Sequence, residues 1–186
     1  MARLDQMDDG GFGRLTARDE VRIERMLPGP RERVWRYLTE ADLRRQWLAA
    51  GAFDLATGGA IELVFRNNEL TEGDDPPPAH LAAHGEESRL RGTVLACDPP
   101  ALLAFTWGTG PDASEVRFDL ADADGGVRLT ITHSRTRDRG MTVLVSTGWH
   151  VHLDILADRL AGRAPDGFWR RVAALQPVYD ARTPSA

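Results

Sequence analysis

The chain has 186 residues with 42% hydrophobic and 27% charged residues, an ordinary composition for one globular domain with a tail. A formal net charge of -5, with both signs mixed along the chain, argues against a general nucleic-acid binder. No apolar run reaches the ~20 residues that a membrane-spanning helix needs, and the N-terminus lacks the apolar segment of a secretory signal. We therefore expect neither a nucleic acid nor a membrane as a partner.

The first part of the chain predicts an arm, a strand and two short helices. Residues 1–19 are polar, which predicts a loosely ordered arm. Residues 20–27 alternate between apolar and polar, as a half-buried strand does. Pro30 suits the first turn of a helix that runs to about Leu38, and Thr39 can cap a second short helix.

From residue 52 the hydrophobic period changes to two, which indicates a series of antiparallel strands. They are predicted near residues 53–66, 89–98, 102–107, 114–121 and 127–135. An acidic, proline-rich insert at 67–87 interrupts them. A connection of this length is usually functional or partly disordered, and it could be either a solvated loop or a lid.

Residues 148–162 predict a long C-terminal helix with one buried face. Ser146 or Thr147 can cap its N-terminus, and Gly162 stands where a helix commonly ends. The remaining residues, 163–186, predict an extension that packs on the domain in one or two helical turns limited by Pro177.

This order of elements is that of the helix-grip fold, and several stretches strengthen the likeness. ARDEVRIERMLPGPRERVWRYLTEADLRRQWL resembles the opening of the SRPBCC, or START-like, superfamily. Five later stretches resemble the branch of this superfamily that is related to the activator of the 90-kDa heat-shock protein ATPase. They are FDLATGGAIELVF, RGTVLACDPPALLAFTW, SEVRFDL, GVRLTITHS and GWHVHLDILADRLAG. The resemblance covers residues 20–162. It implies an α+β fold in which a curved antiparallel sheet wraps around a long C-terminal helix, with a mostly apolar cavity between them.

Inward-facing positions supply the candidate lining of that cavity, and a glycine among them would leave room for a ligand. The candidates are Trp47, Phe65, Gly92, Phe105, Trp107, Phe118, Ile131, His133, Trp149, His152, Leu153 and Leu156. The alternative interpretation is that these aromatic and aliphatic side chains simply fill the core.

Two of these residues could carry chemistry. His133 and His152 could bind a ligand or act as acid and base, or each could be a hydrogen-bonded core histidine. The pair His80 and His84 lacks a clear third ligand, so we predict neither a metal nor a cofactor. Arg89 is expected on a solvated sheet face, although an inward arginine could bind a carboxylate. The chain has no lysine and no GxSxG motif, which excludes a Schiff-base lysine and leaves a nucleophile elbow unsupported.

The leading hypothesis is a binding protein for a small, largely apolar molecule. The single cysteine, Cys97, cannot form an internal disulfide, so we expect a cytoplasmic location. The resemblance also allows a second hypothesis, an enzyme similar to the superfamily's cyclases and dehydratases that would use the two cavity histidines. A third is a protein-interaction module, chaperone-linked or homodimeric, with an exposed apolar patch involving Trp169 and Tyr179.

Overall fold

The computed structural model of the protein describes residues 11–185. Its sheet has seven antiparallel strands in the order β1-β2-β7-β6-β5-β4-β3. The strands are β1 (Arg14–Ala17), β2 (Glu20–Leu27), β3 (Ala60–Phe65), β4 (Ser88–Asp98), β5 (Leu102–Trp107), β6 (Ser114–Ala123) and β7 (Gly126–Ser134). The helices are α1 (Arg31–Thr39), α2 (Ala41–Arg44), α3 (Arg139–Leu160) and α4 (Phe168–Arg182), with short 3-10 helices at Asn67–Glu69 and Ala79–His84.

The predicted α+β helix-grip fold is confirmed. One face of the sheet carries the alternating apolar residues, and on β7 these include Leu129 and Ile131, both fully buried. Helix α3 lies against this face and contributes Leu153 and Leu156, which are also fully buried. The core therefore fills the space between the sheet and the long helix.

Helix α3 begins earlier than the sequence predicts. Its N-cap is Asp138, whose carboxylate accepts a hydrogen bond from the Met141 backbone N–H at 2.8 Å. The predicted caps Ser146 and Thr147 are wrong, because both lie buried inside the helix. The predicted end is confirmed, since Gly162 follows the last turn with a φ of 70°. None of the helices within residues 11–185 is long and apolar enough to cross a membrane.

Part of the predicted N-terminal arm is a strand. Residues 1–10 lie outside the described part of the chain, but β1 pairs with β2, with Leu15 opposite Val21. Gly13 donates its backbone N–H to the Tyr179 hydroxyl at 2.8 Å, and Phe12 packs edge-on against His150. The contacts of Gly13 and Phe12 join residues far apart in sequence, so the polar composition of the arm gave no sign of them.

Helix α4 is longer than the predicted turn or two, because Pro177 lies inside it and does not end it. The helix buries Phe168, Val172, Leu175 and Tyr179 along one side. This packing outweighs the backbone hydrogen bond that the proline cannot make.

Candidate functional site

A pocket of about 350 Å³ lies beside the N-terminal half of α3. The sheet supplies one wall through Phe65, Leu90 and Trp107, on β3, β4 and β5. Helix α4 and the 3-10 helix at Ala79–His84 supply the opposite wall. The pocket is therefore walled partly by the helix-grip domain and partly by the insert and the C-terminal extension.

Aromatic rings form much of the pocket wall. Trp107 packs against Trp149 with 5.4 Å between ring centroids, and against Phe65 at 5.7 Å. On the α4 side, Phe168 lies 4.8 Å from Trp169. A concave apolar surface with few polar groups is the usual form of a small-molecule site.

The predicted cavity residues divide into two groups. Four of them line the pocket, namely Phe65, Trp107, Trp149 and His152. The others do not, and the structure corrects their placement. Those packed in the closed core are Trp47, Phe105, Phe118, Ile131, His133, Leu153 and Leu156. Strand parity places a side chain on the inner face, but only the neighbouring elements determine whether free space adjoins it.

Gly92 does not open space for a ligand. A Cβ at this position would lie 1.9 Å from the backbone oxygen of Thr106, and 3.2 Å from Cδ1 of Ile61. The absence of a side chain instead allows β4 and β5 to approach closely. The prediction that Gly92 lines the cavity is therefore wrong.

His133 is a hydrogen-bonded core histidine. Trp149 donates its indole Nε1–H to His133 Nδ1 at 3.0 Å, and Nε2 of His133 lies 2.9 Å from the Ser114 hydroxyl. Since Nδ1 accepts, Nε2 carries the proton and donates to Ser114. Burial lowers the pKa of His133 to about 4, so the ring is neutral at pH 7. Both nitrogens are occupied, and the ring does not line the pocket.

Of the two candidate histidines, His152 is the one that lines the pocket. Its Nδ1 lies 2.7 Å from the backbone oxygen of Trp47, which can only accept a hydrogen bond, so Nδ1 carries the proton. Burial lowers the pKa of His152 to about 4, although the bond to Trp47 opposes this shift. The centroid of its ring lies 5.0 Å from the ring centroid of Phe168, on α4. At pH 7 it is a neutral imidazole whose Nε2 is an acceptor.

Several lining residues escaped the sequence analysis. About half of them belong to the insert and to α4, and these include Asn67, Leu81, Trp169, Val172 and Gln176. One signal was available, because Phe168 and Val172 are spaced as neighbours on one helical face. Gly148 of α3 was also missed as a lining residue, and a Cβ there would meet nothing within 4 Å.

The acidic insert holds α4 in place. The Asp74 carboxylate accepts the backbone N–H of Trp169 at 2.8 Å and that of Arg170 at 3.2 Å, while Thr71 Oγ1 accepts that of Phe168 at 3.0 Å. These are the free N–H groups of a helix start, which a carboxylate stabilises. The insert thus acts as the N-terminal cap of α4 and fixes one wall of the pocket.

The charged and metal-ligating candidates have protein partners. Arg89 lies at the pocket wall, where its guanidinium contacts Glu87 at 2.9 Å and Glu62 at 3.6 Å. His80 Nε2 lies 2.9 Å from the amide oxygen of Gln176. Within residues 11–185, no three or more His, Cys, Asp or Glu side chains are grouped to hold a metal ion.

The patch expected around Trp169 and Tyr179 is not exposed. The two side chains are 3% and 2% accessible, and the Trp169 indole N–H donates to Asn68 Oδ1 at 2.8 Å. Tyr179 Oη lies 2.9 Å from His150 Nδ1. Both aromatic residues therefore attach the extension to the domain, and the prediction that they form an interaction patch is wrong.

Comparison with protein families places the chain in a known group. The family model for the activator of Hsp90 ATPase homolog 1-like protein matches residues 28–161. A comparison with curated proteins found no match.

Solved structures agree with the family match. A Bordetella parapertussis protein solved by NMR is 44% identical, with 91% of this chain and 88% of that one covered and a TM-score of 0.76. Crystalline CalU16 from Micromonospora echinospora is 23% identical, with 89% of each chain covered and a TM-score of 0.65. A Nitrosomonas europaea protein is 20% identical, with 80% of this chain and 98% of that one covered and a TM-score of 0.61. The last two support the fold alone.

Proposed function

The chain belongs to the activator of Hsp90 ATPase homolog 1-like family of the SRPBCC superfamily, and from that premise we propose that it binds a small, largely apolar molecule in the pocket beside α3. Domains of this superfamily typically bind ligands. The observation that carries the proposal is the aromatic-walled space of about 350 Å³, which falls within the usual range of ligand pockets.

Apolar burial would supply most of the affinity, at about 25 cal/mol for each Å² removed from water. Leu144 is 37% exposed at the pocket and offers apolar surface that a ligand would cover. The polar groups of the wall would then select among molecules of suitable size.

The proposal favours binding over acid–base catalysis. A catalytic couple of His133 and His152 would need both rings at one ligand, but only His152 lines the pocket. Both nitrogens of His133 have protein partners. We propose the cytoplasm as the compartment, because the chain has one cysteine, and a homodimer stays a prediction.

Filling the pocket from α3 tests the proposal. The probe is N-phenyl-1-naphthylamine, a neutral apolar dye whose fluorescence rises on leaving water. Gly148→Phe would place a ring in the open space beside Gly148. Gly140→Phe puts the same side chain on an exposed part of the same helix, outside the pocket, and serves as the matched control.

We expect saturable binding of one dye per chain by the wild type and by Gly140→Phe, and at least about tenfold weaker binding by Gly148→Phe. Circular dichroism would verify that both variants are folded. Equal dye binding by the two folded variants, or no saturable binding by the wild type, would overturn the proposal.

A further inference from the structure

His152 presents one defined hydrogen-bonding group to the pocket. Its Nδ1–H is committed to the backbone oxygen of Trp47 at 2.7 Å, which fixes the tautomer. Its Nε2 has no hydrogen-bond partner within residues 11–185, and it is not among the fully buried unpaired atoms of that part of the chain. The ring itself lines the pocket. Nε2 is therefore an accessible acceptor that needs a donor.

Asn67, on the 3-10 helix at Asn67–Glu69, also lines the pocket and carries an acceptor that is unpaired within residues 11–185. Its side-chain N–H donates to the His84 backbone oxygen at 2.9 Å, which identifies the other amide atom as Oδ1. That Oδ1 is buried and unpaired among the described residues. Because this oxygen has almost no accessible surface, a ligand cannot contact it without a movement of the side chain, and His152 Nε2 is the acceptor that the pocket offers.

The wall also favours a neutral molecule. Arg89 is the one arginine on it among residues 11–185, and its guanidinium already contacts the carboxylates of Glu87 and Glu62. Thr147 lines the pocket too, but its hydroxyl donates to the Val143 backbone oxygen at 2.8 Å. His84, the other histidine of the wall, is exposed to water. A carboxylate deep in the pocket would therefore lose its hydration without gaining a free cation from Arg89.

Volume sets the size of the occupant. An apolar cavity of ~150 Å³ holds one benzene ring, and this pocket of about 350 Å³ is more than twice as large. Resting on the proposed function, we infer that the ligand is a neutral aromatic molecule of about two fused rings with a hydroxyl group that donates a hydrogen bond to His152 Nε2.

Three probes of similar shape separate the parts of this inference. 2-Naphthol is neutral at pH 7 and carries the donor, 2-methoxynaphthalene keeps the oxygen without the donor, and naphthalene lacks both. The methoxy compound matters because the Trp107 indole N–H is also unpaired within residues 11–185 and could bind an oxygen. Dissociation constants would come from displacement of N-phenyl-1-naphthylamine. We expect 2-naphthol to bind about five- to tenfold more tightly than 2-methoxynaphthalene.

Two substitutions at His152 assign the preference to one nitrogen. In His152→Asn the amide N–H can replace Nδ1 and keep the bond to Trp47, while nothing replaces Nε2. In His152→Gln the longer side chain can place an amide oxygen where Nε2 was. We expect Asn to abolish the preference for 2-naphthol and Gln to restore part of it, whatever either change does to naphthalene binding.

The outcomes separate this inference from the proposed function. If all three probes bind and Gly148→Phe weakens them, but 2-naphthol has no advantage over 2-methoxynaphthalene, the pocket binds apolar molecules and the inference is wrong. A preference for 2-naphthol that survives unchanged in His152→Asn would also overturn it. If the dye binds in a Gly148-dependent way but none of the three probes displaces it, the inference alone fails. If the dye itself shows no saturable, Gly148-dependent binding, the proposed function fails and the inference fails with it.

Discussion

The surroundings of His133 and of His152 show how one fold builds a closed core and an open site within a short distance along α3. His133, on β7, is 0% exposed, and its two nitrogens are hydrogen-bonded to Ser114 of β6 and Trp149 of α3. His152 lies three residues after Trp149 on α3, and it has a partner for one nitrogen only. Both rings are neutral because burial lowers their pKa values to about 4.

The elements that cover each histidine explain the difference. The sheet and α3 close over His133 with rigid, hydrogen-bonded packing. His152 faces α4 and the insert, which bridge a gap and leave part of it unfilled. Burial alone therefore does not distinguish a structural histidine from one that can bind a ligand, whereas an unpaired nitrogen does.

The largest expected change in the free energy of unfolding comes from a substitution in the closed core around His133. His133→Ala leaves the Trp149 N–H and the Ser114 hydroxyl without their partner and opens a cavity, so we expect a loss of about 3–5 kcal/mol in the free energy of unfolding. Urea unfolding followed by circular dichroism would measure it. Ser114→Ala, which removes one of the two partners, should cost about 1 kcal/mol. A loss below about 1 kcal/mol in His133→Ala would contradict the closed-core interpretation.

Acid should weaken the fold through both histidines. Their folded-state pKa values of about 4 lie below the ordinary histidine pKa of 6.5, so their stabilising contribution is complete above pH 6.5 and is lost as pH falls toward 4. Each ring adds a slope of up to about 1.4 kcal/mol per pH unit within this window. Unfolding free energies measured from pH 7 to 5 should fall less steeply in His152→Asn than in the wild type. Parallel curves would contradict neutral burial of His152.

Removing the N-terminal cap of α4 should affect mainly the pocket beside His152. Asp74→Ala removes the acceptor for the backbone N–H groups of Trp169 and Arg170, and loss of such a cap typically costs about 1–2 kcal/mol. We also expect weaker binding of N-phenyl-1-naphthylamine, because α4 forms a pocket wall. Glu72→Ala changes an exposed neighbour in the same acidic run and should alter stability by less than about 0.5 kcal/mol. Equal effects of the two substitutions would argue against the cap.

The smallest effect concerns Gly148. Alanine there would meet no atom within 4 Å and would favour the helix, so we expect a gain of about 0.5–1 kcal/mol. Thermal unfolding would report it as a higher Tm. Gly162→Ala on the same helix is the contrast, because its φ of 70° disfavours alanine and should lower stability by about 1 kcal/mol. A destabilising Gly148→Ala would show that the space beside it is already filled.

Local patterns in the sequence were enough to predict most of the fold. Alternation on β5 and β7 identified the inner face, and the glycine at position 162 identified the end of α3. The start of α3 was not predictable in the same way, because the residues before 148 gave no clear helical pattern. Pro177 led to a wrong prediction for the opposite reason. A proline usually ends a helix, but here the burial of the residues around it stabilises α4 in spite of the proline.

The site was predicted less well than the fold. Phe105 and Trp107 share one strand and one parity, yet Phe105 is fully buried in the core and Trp107 lines the pocket. No spacing rule separates them, because the difference comes from what packs against each. The caps of α4, Asp74 and Thr71, likewise stand in a segment whose composition predicts a loop.

The sequence by itself therefore determined the family, the strands with their inner face, and the existence of a long C-terminal helix, since each depends on periodicity or on residues close together in the chain. Only the tertiary structure decided where the pocket lies, which of His133 and His152 reaches it and which nitrogen of His152 stays unpaired. These features arise where the insert and α4 meet the domain across many residues of sequence, and packing there depends on shapes that no local pattern encodes.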